Sequence, residues 1–277
     1  MDEIATIVRS YDRDRYLSAL LAPENARPHL MALYAFNAEI CRIAAQVSEP
    51  QLAEIRLQWW LDTIDGIYFE DPQAHPVAKA LADAVKVGDI PKFALQRLAK
   101  AHQADFYSDP PPTLHDLEAY LGETESSLIK MAAMILDKDA ALECDEAAGL
   151  AGVAYGLVRL LNRLPDARRL KQNLFPEDML TARQVPLNAL YDSDHEAAAM
   201  VLIADLRHLA AKRLAEAREK AWTVKTEIFS AFLHVSLTDA YIAKAAAKGV
   251  ATRFQGCDFS QLRKQWCLWK ASRTETY

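Results

Sequence analysis

The chain holds 277 residues, 51% hydrophobic and 25% charged, with a formal net charge of −6 and a sequence pI near 5.7. That acidic balance excludes a general nucleic-acid binder, which needs a basic face and a basic total, while the apolar fraction suffices for one sizeable core. Cysteines 41, 144, 257 and 267 form no C-x-x-C pair and have no histidine at zinc spacing, so they read as free thiols in a reducing compartment.

The opening MDEIATIVRSYDRDR carries acids where a secretory signal needs a basic stretch ahead of an apolar one. The longest apolar run, Ala197 to Ala204, falls far short of the ~20 residues that span a bilayer. The expectation is a soluble, cytoplasmic protein, with at most a peripheral contact at the inner membrane.

Only eight glycines occur, and no stretch alternates apolar and polar residues, so helix is predicted nearly everywhere. Ser48 with Gln51 has the pattern of a capping box before LAEIRLQWWLDTID, and Gly66 stands where a left-handed terminator belongs. Gly88, Asp89 and Pro91 close one helix and open the next. Thr113 with Asp116 caps LEAYLGETESSLIKMAAMIL, and Ser193 with Glu196 opens a long helix over 194–223. In that helix Ile203, Leu206, Ala210, Leu214, Ala217 and Ala221 form one buried stripe. Asp258 with Gln261 is expected to cap the last helix, FSQLRKQWCLWKAS. With no interdomain linker and no repeat, residues 1–277 are predicted to be one all-α domain of eight or more helices.

RLLNRLPDARRLKQNLFPEDML, Arg159 to Leu180, concentrates Arg159, Arg163, Arg168, Arg169 and Lys171 around one acid, Asp166. Pro165 is predicted to end the helix, because the residue before proline resists the α region. Arg159 and Arg163 are four apart, so they share a face and repel unless an anion lies between them. Cations answering the helix dipole explain Arg163 but not the rest. The cluster is therefore expected to face a cavity mouth and hold a phosphate-type anion directly, by bidentate guanidinium contacts. A solvated patch for an acidic partner or anionic lipid headgroups is the alternative.

The same stretch, GVAYGLVRLLNRLPDARRLKQNLFPEDML, resembles the second signature region of the squalene/phytoene synthase family. Gly152, Ala154, Leu157, Leu160, Leu161, Asp166, Arg168, Arg169, Pro176 and Asp178 match that pattern in type and order. RPHLMALYAFNAEICRIAAQ resembles the first region through Arg27, Leu33, Tyr34, Ala35 and Phe36. The resemblance implies an all-α isoprenoid-synthase bundle around a central apolar cavity. It adds Arg27 and Tyr34 to the candidate anion- or diphosphate-binding residues.

In that family, acids four apart on two helix faces hold Mg²⁺, which grips a diphosphate. Here the first pair falls on Cys41 and Ala45, with Glu39 turned to another face; the second region keeps Asp166 alone, and Arg163 replaces an acid. Glu39, Asp166 and Asp178 are the residual acid positions. No metal ligands and no cofactor are expected, and Mg²⁺ only if prenyl transfer survives. One branch of the family, the mitochondrial complex I assembly factor 6 group and its bacterial relatives, shares this loss. FNAEICRIAAQVSEPQLAEIRLQWW and the closing WKASRTETY resemble that branch.

Three functions follow from the resemblance. The first is a non-catalytic factor in assembly of the respiratory NADH–quinone oxidoreductase, with complex I subunits or assembly proteins as partners. The second is a Mg²⁺-dependent head-to-head prenyltransferase acting on farnesyl or geranylgeranyl diphosphate. The third is a carrier holding a prenyl diphosphate or another lipid in its cavity. Asp62 and Asp65 read as a solvated helix end, and the five tryptophans as core or cavity lining. The seven histidines are scattered, with no Ser-His-Asp order, P-loop or glycine-rich nucleotide loop.

Overall fold

The computed structural model describes residues 3–47, 49–170, 172–186 and 195–277, and among these no strand is formed. The first half runs α1 (Glu3–Tyr11), α2 (Arg13–Leu20), α3 (Arg27–Gln46), α4 (Pro50–Tyr68), α5 (Pro76–Gly88), α6 (Lys92–Ala101), α7 (Leu114–Leu121), α8 (Ser127–Leu136) and α9 (Lys138–Ala141). The second runs α10 (Asp145–Leu170), α11 (Glu177–Ala182), α12 (Glu196–Glu219), α13 (Phe229–Phe232), α14 (Thr238–Lys248), α15 (Thr252–Gln255) and α16 (Gln261–Thr274). Helix α10 lies against α12 and α15, α3 lies between α1 and α5, and one apolar core joins Val8 on α1 to Leu268 on α16.

Local chemistry explains several of these elements. Thr113 and Asp116 form both bonds of a capping box, so two orphan donors of α7 are satisfied reciprocally. Ile203, Leu206, Ala210, Leu214 and Ala217 are buried along α12, as the three- and four-residue spacing predicts, and Ala221 lies just beyond its end. The predicted caps Ser48 and Ser193 lie outside the described residues.

Four local expectations are corrected. Gly66 does not end α4; it lies inside the helix, where a Cβ would meet the Asp71 carbonyl oxygen at 2.6 Å, and Glu70 takes the positive φ instead. Asp258 does not cap α16; Ser260 is the N-cap, and the Asp258 carboxylate is drawn to Lys264. Of the tryptophans only Trp60 is buried, edge-on to Phe36, whereas Trp59, Trp222, Trp266 and Trp269 are exposed.

Most consequentially, α10 runs straight through Pro165. A proline inside a helix costs about 3 kcal/mol; burial of Leu164 and Ala167 on either side of it offsets that locally. Residues 159, 163, 166 and 169 therefore stay on one face of a single helix, while Arg168 turns away.

Candidate functional site

The site begins at YDRDR, where α1 hands over to α2. Asp12 is the N-cap of α2 and accepts from the Arg15 amide at 3.1 Å. The Arg15 side chain is fully buried and reaches Asp12 Oδ2 at 2.9 Å and Glu125 Oε2 at 2.5 Å. From α10, Arg159 Nη1 meets Asp12 Oδ2 at 2.5 Å and Nε lies 3.6 Å from Glu125 Oε1. Two cations and two carboxylates thus alternate in a closed ring, and their mutual attraction offsets the desolvation penalty that each buried charge incurs.

Glu125 reaches this ring from a single π-helical turn, Gly122–Ser126, between α7 and α8. Such turns insert one extra residue and re-aim a side chain. Two glycines of α10 permit the approach: a Cβ on Gly152 would collide with the Ser126 main chain, and one on Gly156 would meet Leu121 Cδ2 at 2.7 Å.

A second cluster adjoins the ring. Asp14 accepts from Lys264 Nζ at 2.7 Å, Tyr241 OH at 2.6 Å and Tyr155 OH at 3.1 Å. Lys264 also lies 2.6 Å from Asp258 Oδ1. Burial alone would push the Asp12 carboxyl up, yet Arg159 and Arg15 hold it well below the usual carboxylate range. Glu125 is likewise lowered, by Arg15 and Arg159 against burial. Burial lowers Lys264, but Asp14 more than restores its proton affinity.

Above these clusters opens a cavity of about 350 Å³ lined by residues of α1, α2, α3, α10, α14 and α16. Five basic side chains (Arg13, Arg159, Arg163, Arg169, Lys264) face four carboxylates (Asp12, Asp14, Asp166, Asp258), so the space is charged but nearly balanced. This lining differs from the apolar one expected at the bundle's centre. Apolar lining belongs to a second cavity of about 430 Å³, formed by Pro110, Pro111, Pro112, Leu117, Leu160 and Leu174 with neighbouring polar groups. Arg163 and Gln172 border both. The donor set of the charged cavity does not fit Mg²⁺: Cys41 and Ala45 stand on α3, guanidiniums project from α10, and each of the four carboxylates already has a cation partner.

The structure separates the residues singled out from sequence. Arg159, Arg163, Asp166 and Arg169 line the charged cavity, but Arg159 is neutralised by Asp12 and Glu125 and is no free anion fork. Arg163 forms no ion pair among the described residues; burial opposes its charge, and Asp105 and Tyr120 sustain it. Arg169 and Asp166 are exposed and 3.4 Å apart. Arg168 leaves the cavity face and stacks over Phe254, 4.8 Å from the ring centre. Lys171 lies outside the described residues.

Arg27 is exposed at the start of α3 and donates to the Ala22 carbonyl, remote from the cavity lining. Tyr34 is buried beneath the Arg15 guanidinium, 5.8 Å from it, and burial pushes its phenol up to about 12. Glu39 points to another face of α3, where it meets Arg42 at 3.4 Å beside Trp59 and Trp60. Asp178 caps α7, accepting from the Leu114 amide at 3.0 Å.

Asp12, Asp14, Arg15, Glu125, Lys264 and the pair Cys41–His102 escaped the sequence reading. The only local signal was YDRDR, five consecutive polar residues at a helix junction whose Asp12, Asp14 and Arg15 are buried. Outside that segment, the side-chain partners of these three residues lie 110 to 250 residues away along the chain.

The architecture is that of the isoprenoid synthases. It superposes on squalene synthase HpnC from Alicyclobacillus acidocaldarius with a TM-score of 0.74 at 17% identity, covering 89% of this chain and 92% of that one. A dehydrosqualene synthase crystallised with a ligand gives a TM-score of 0.80 at 16% identity, covering 98% of this chain and 95% of that one. The chain belongs to the squalene/phytoene synthase family, whose sequence profile matches residues 8–269. Among its relatives, NADH dehydrogenase (ubiquinone) complex I, assembly factor 6 of Homo sapiens is 31% identical over 235 residues, 84% of this chain and 70% of that protein. The Drosophila melanogaster homolog of that factor is 29% identical over 265 residues, 91% of this chain and 77% of its own.

Proposed function

We propose that this protein is a family member without prenyl-transfer chemistry that acts in assembly of the respiratory NADH–quinone oxidoreductase. One observation carries the reading. Every carboxylate lining the charged cavity is paired with a cation of the protein itself: Asp12 with Arg15 and Arg159, Asp14 and Asp258 with Lys264, Asp166 with Arg169. A centre neutralised from within has no carboxylate pair to offer a divalent cation, so the proposal includes no Mg²⁺ and no other cofactor. The relatives named as complex I assembly factor 6 support the assembly role. Two experiments test it. Deleting the gene should lower the amount of assembled oxidoreductase on native gels, and the wild-type gene should restore it. Purified protein with farnesyl diphosphate and Mg²⁺ should release no diphosphate; release near 1 per second, a slow but ordinary enzymatic rate, would overturn the reading.

A ligand-holding role has its own observation. Arg163, without an ion pair among the described residues, borders both the charged and the apolar cavity. That juxtaposition suits a molecule with an anionic head and an apolar tail, a prenyl diphosphate or another lipid, carried and not consumed. Titration with a prenyl diphosphate analogue in chelator should show binding that Arg163→Gln weakens at least about tenfold, the loss of one charge-assisted contact.

A peripheral contact with an anionic bilayer is the third element. On α16, Leu262, Trp266 and Trp269 lie along one line at steps of four and three, and are 80%, 62% and 46% exposed. Arg263, Lys270 and Arg273 are exposed on the same helix, which carries no acid. Trp and Leu beside cations are the composition of an interfacial helix. The protein should float with vesicles containing anionic phospholipid but not with neutral ones, and Trp266→Ser with Trp269→Ser should abolish flotation.

A further inference from the structure

Outside the charge ring, the strongest unassigned chemistry is the set Cys41, His102 and Asp105. Cys41 sits in the C-terminal part of α3, half-buried, and lines the charged cavity. Its Sγ lies 3.5 Å from His102 Nε2. His102, at the turn that follows α6, is buried, and its Nδ1 lies 2.7 Å from Asp105 Oδ2. Asp105 is itself oriented by the Tyr120 hydroxyl, which donates to it at 3.0 Å. A nucleophile, a base and a group that orients the base therefore stand in order, the arrangement that activates a thiol.

Asp105 accepts the Nδ1 proton, which leaves Nε2 as the atom that exchanges a proton with the thiol. Tyr11 from α1 and Arg159 and Arg163 from α10 line the same cavity as Cys41, and the two guanidiniums favour negative charge there. Burial pushes the thiol up, but His102 and Arg159 bring it below the usual thiol range. Burial likewise disfavours the imidazolium, yet Cys41 and Asp105 raise His102 to about 10. The other buried thiols behave in the opposite sense: Cys144 is raised by burial, and Cys257 reaches about 12.

We propose that Cys41 is a nucleophilic thiolate and a modification site, which takes an oxygen atom from a small hydroperoxide admitted to the charged cavity. The sulfur attacks the terminal peroxide oxygen; the S–O bond forms and the O–O bond breaks. The displaced oxyanion takes the proton from His102 Nε2 and leaves as water or an alcohol, so sulfur is oxidised by two electrons and the peroxide reduced. The product is a sulfenic acid. No second cysteine lines the cavity among the described residues, so recovery depends on a thiol from outside. This holds whether or not the cavity also binds a lipid anion.

The test is residue-resolved mass spectrometry of the intact full-length protein. An ordinary thiol is only ~1% thiolate at about pH 6.5, so iodoacetamide should alkylate Cys41 there at least about tenfold faster than the half-buried Cys267. One equivalent of hydrogen peroxide followed by dimedone should mark Cys41. His102→Gln should slow Cys41 alkylation at least about tenfold and leave Cys267 unchanged. Should that variant fail to fold, the unmodified protein decides: a Cys41 rate nearly flat from about pH 6.5 to 8 supports the proposal, and a tenfold rise per pH unit overturns it. Equal rates at Cys41 and Cys267, dimedone spread evenly over the thiols, or indifference to His102→Gln would each overturn it as well.

Discussion

Arg159 Nη1 and Asp12 Oδ2 meet at 2.5 Å although 147 residues separate them in the chain. The contact joins α10 to the start of α2, and it answers the question posed by the basic run from Arg159 to Lys171. The anion that the deepest of those cations holds is the protein's own carboxylate.

Removing that cation should therefore be felt as lost stability. Arg159→Gln leaves Asp12 with one guanidinium and Glu125 with one, although both carboxylates are largely buried. Breaking a buried pair by deleting one partner costs about 3 kcal/mol. Pairing the change with Asp12→Asn should cost clearly less than the sum of the two single changes, because the partners are coupled. Urea unfolding of the four proteins measures both; strict additivity would mean that the contact carries no energy.

The ring also sets an acid limit. The Asp12 and Glu125 carboxyls are depressed in the folded protein by Arg159 and Arg15, whereas their unfolded values are ~3.9 and ~4.3. A depressed folded value gives stability that is full above the unfolded value and lost as pH falls through the folded one. Stability should thus hold down to about pH 5 and decline steeply below about pH 4. Asp12→Asn should flatten that decline, as read from unfolding free energy against pH.

Gly152 and Gly149 of α10 should respond in opposite directions to alanine. At Gly152 the new methyl would strike the Ser126 main chain and push away the turn that carries Glu125, an overpacking loss of about 1–3 kcal/mol. Nothing lies within 4 Å of a Cβ at Gly149, so helix propensity alone should stabilise that variant by about 0.5–1 kcal/mol. Thermal unfolding of the two variants separates close approach from helix propensity.

Asp178, matched to a family motif by sequence, should behave as a cap. Its carboxylate accepts from the Leu114 amide at the start of α7. Asp178→Ala should cost about 1 kcal/mol and leave any binding of a prenyl diphosphate analogue unchanged. A binding loss without a stability loss would return Asp178 to the ligand site.

Sequence alone determined what depends on near neighbours. Helix content, the capping box of Thr113 with Asp116 and the buried stripe of α12 are set within one or two turns, and helix period and cap chemistry report them. So was the absence of acids at Cys41 and Ala45, a matter of residue identity. Tertiary structure decided the rest, because burial and long-range pairing set its energy. Packing carried α10 through Pro165 against local propensity and so chose which cations share the cavity. It spent Arg159 on Asp12 and Glu125, 147 and 34 residues away in sequence, and left Arg163 to the cavities. It also brought His102 to Cys41 across 61 residues. A charge in a sequence shows only its sign; which opposite charge will neutralise it is known once the chain has closed around both.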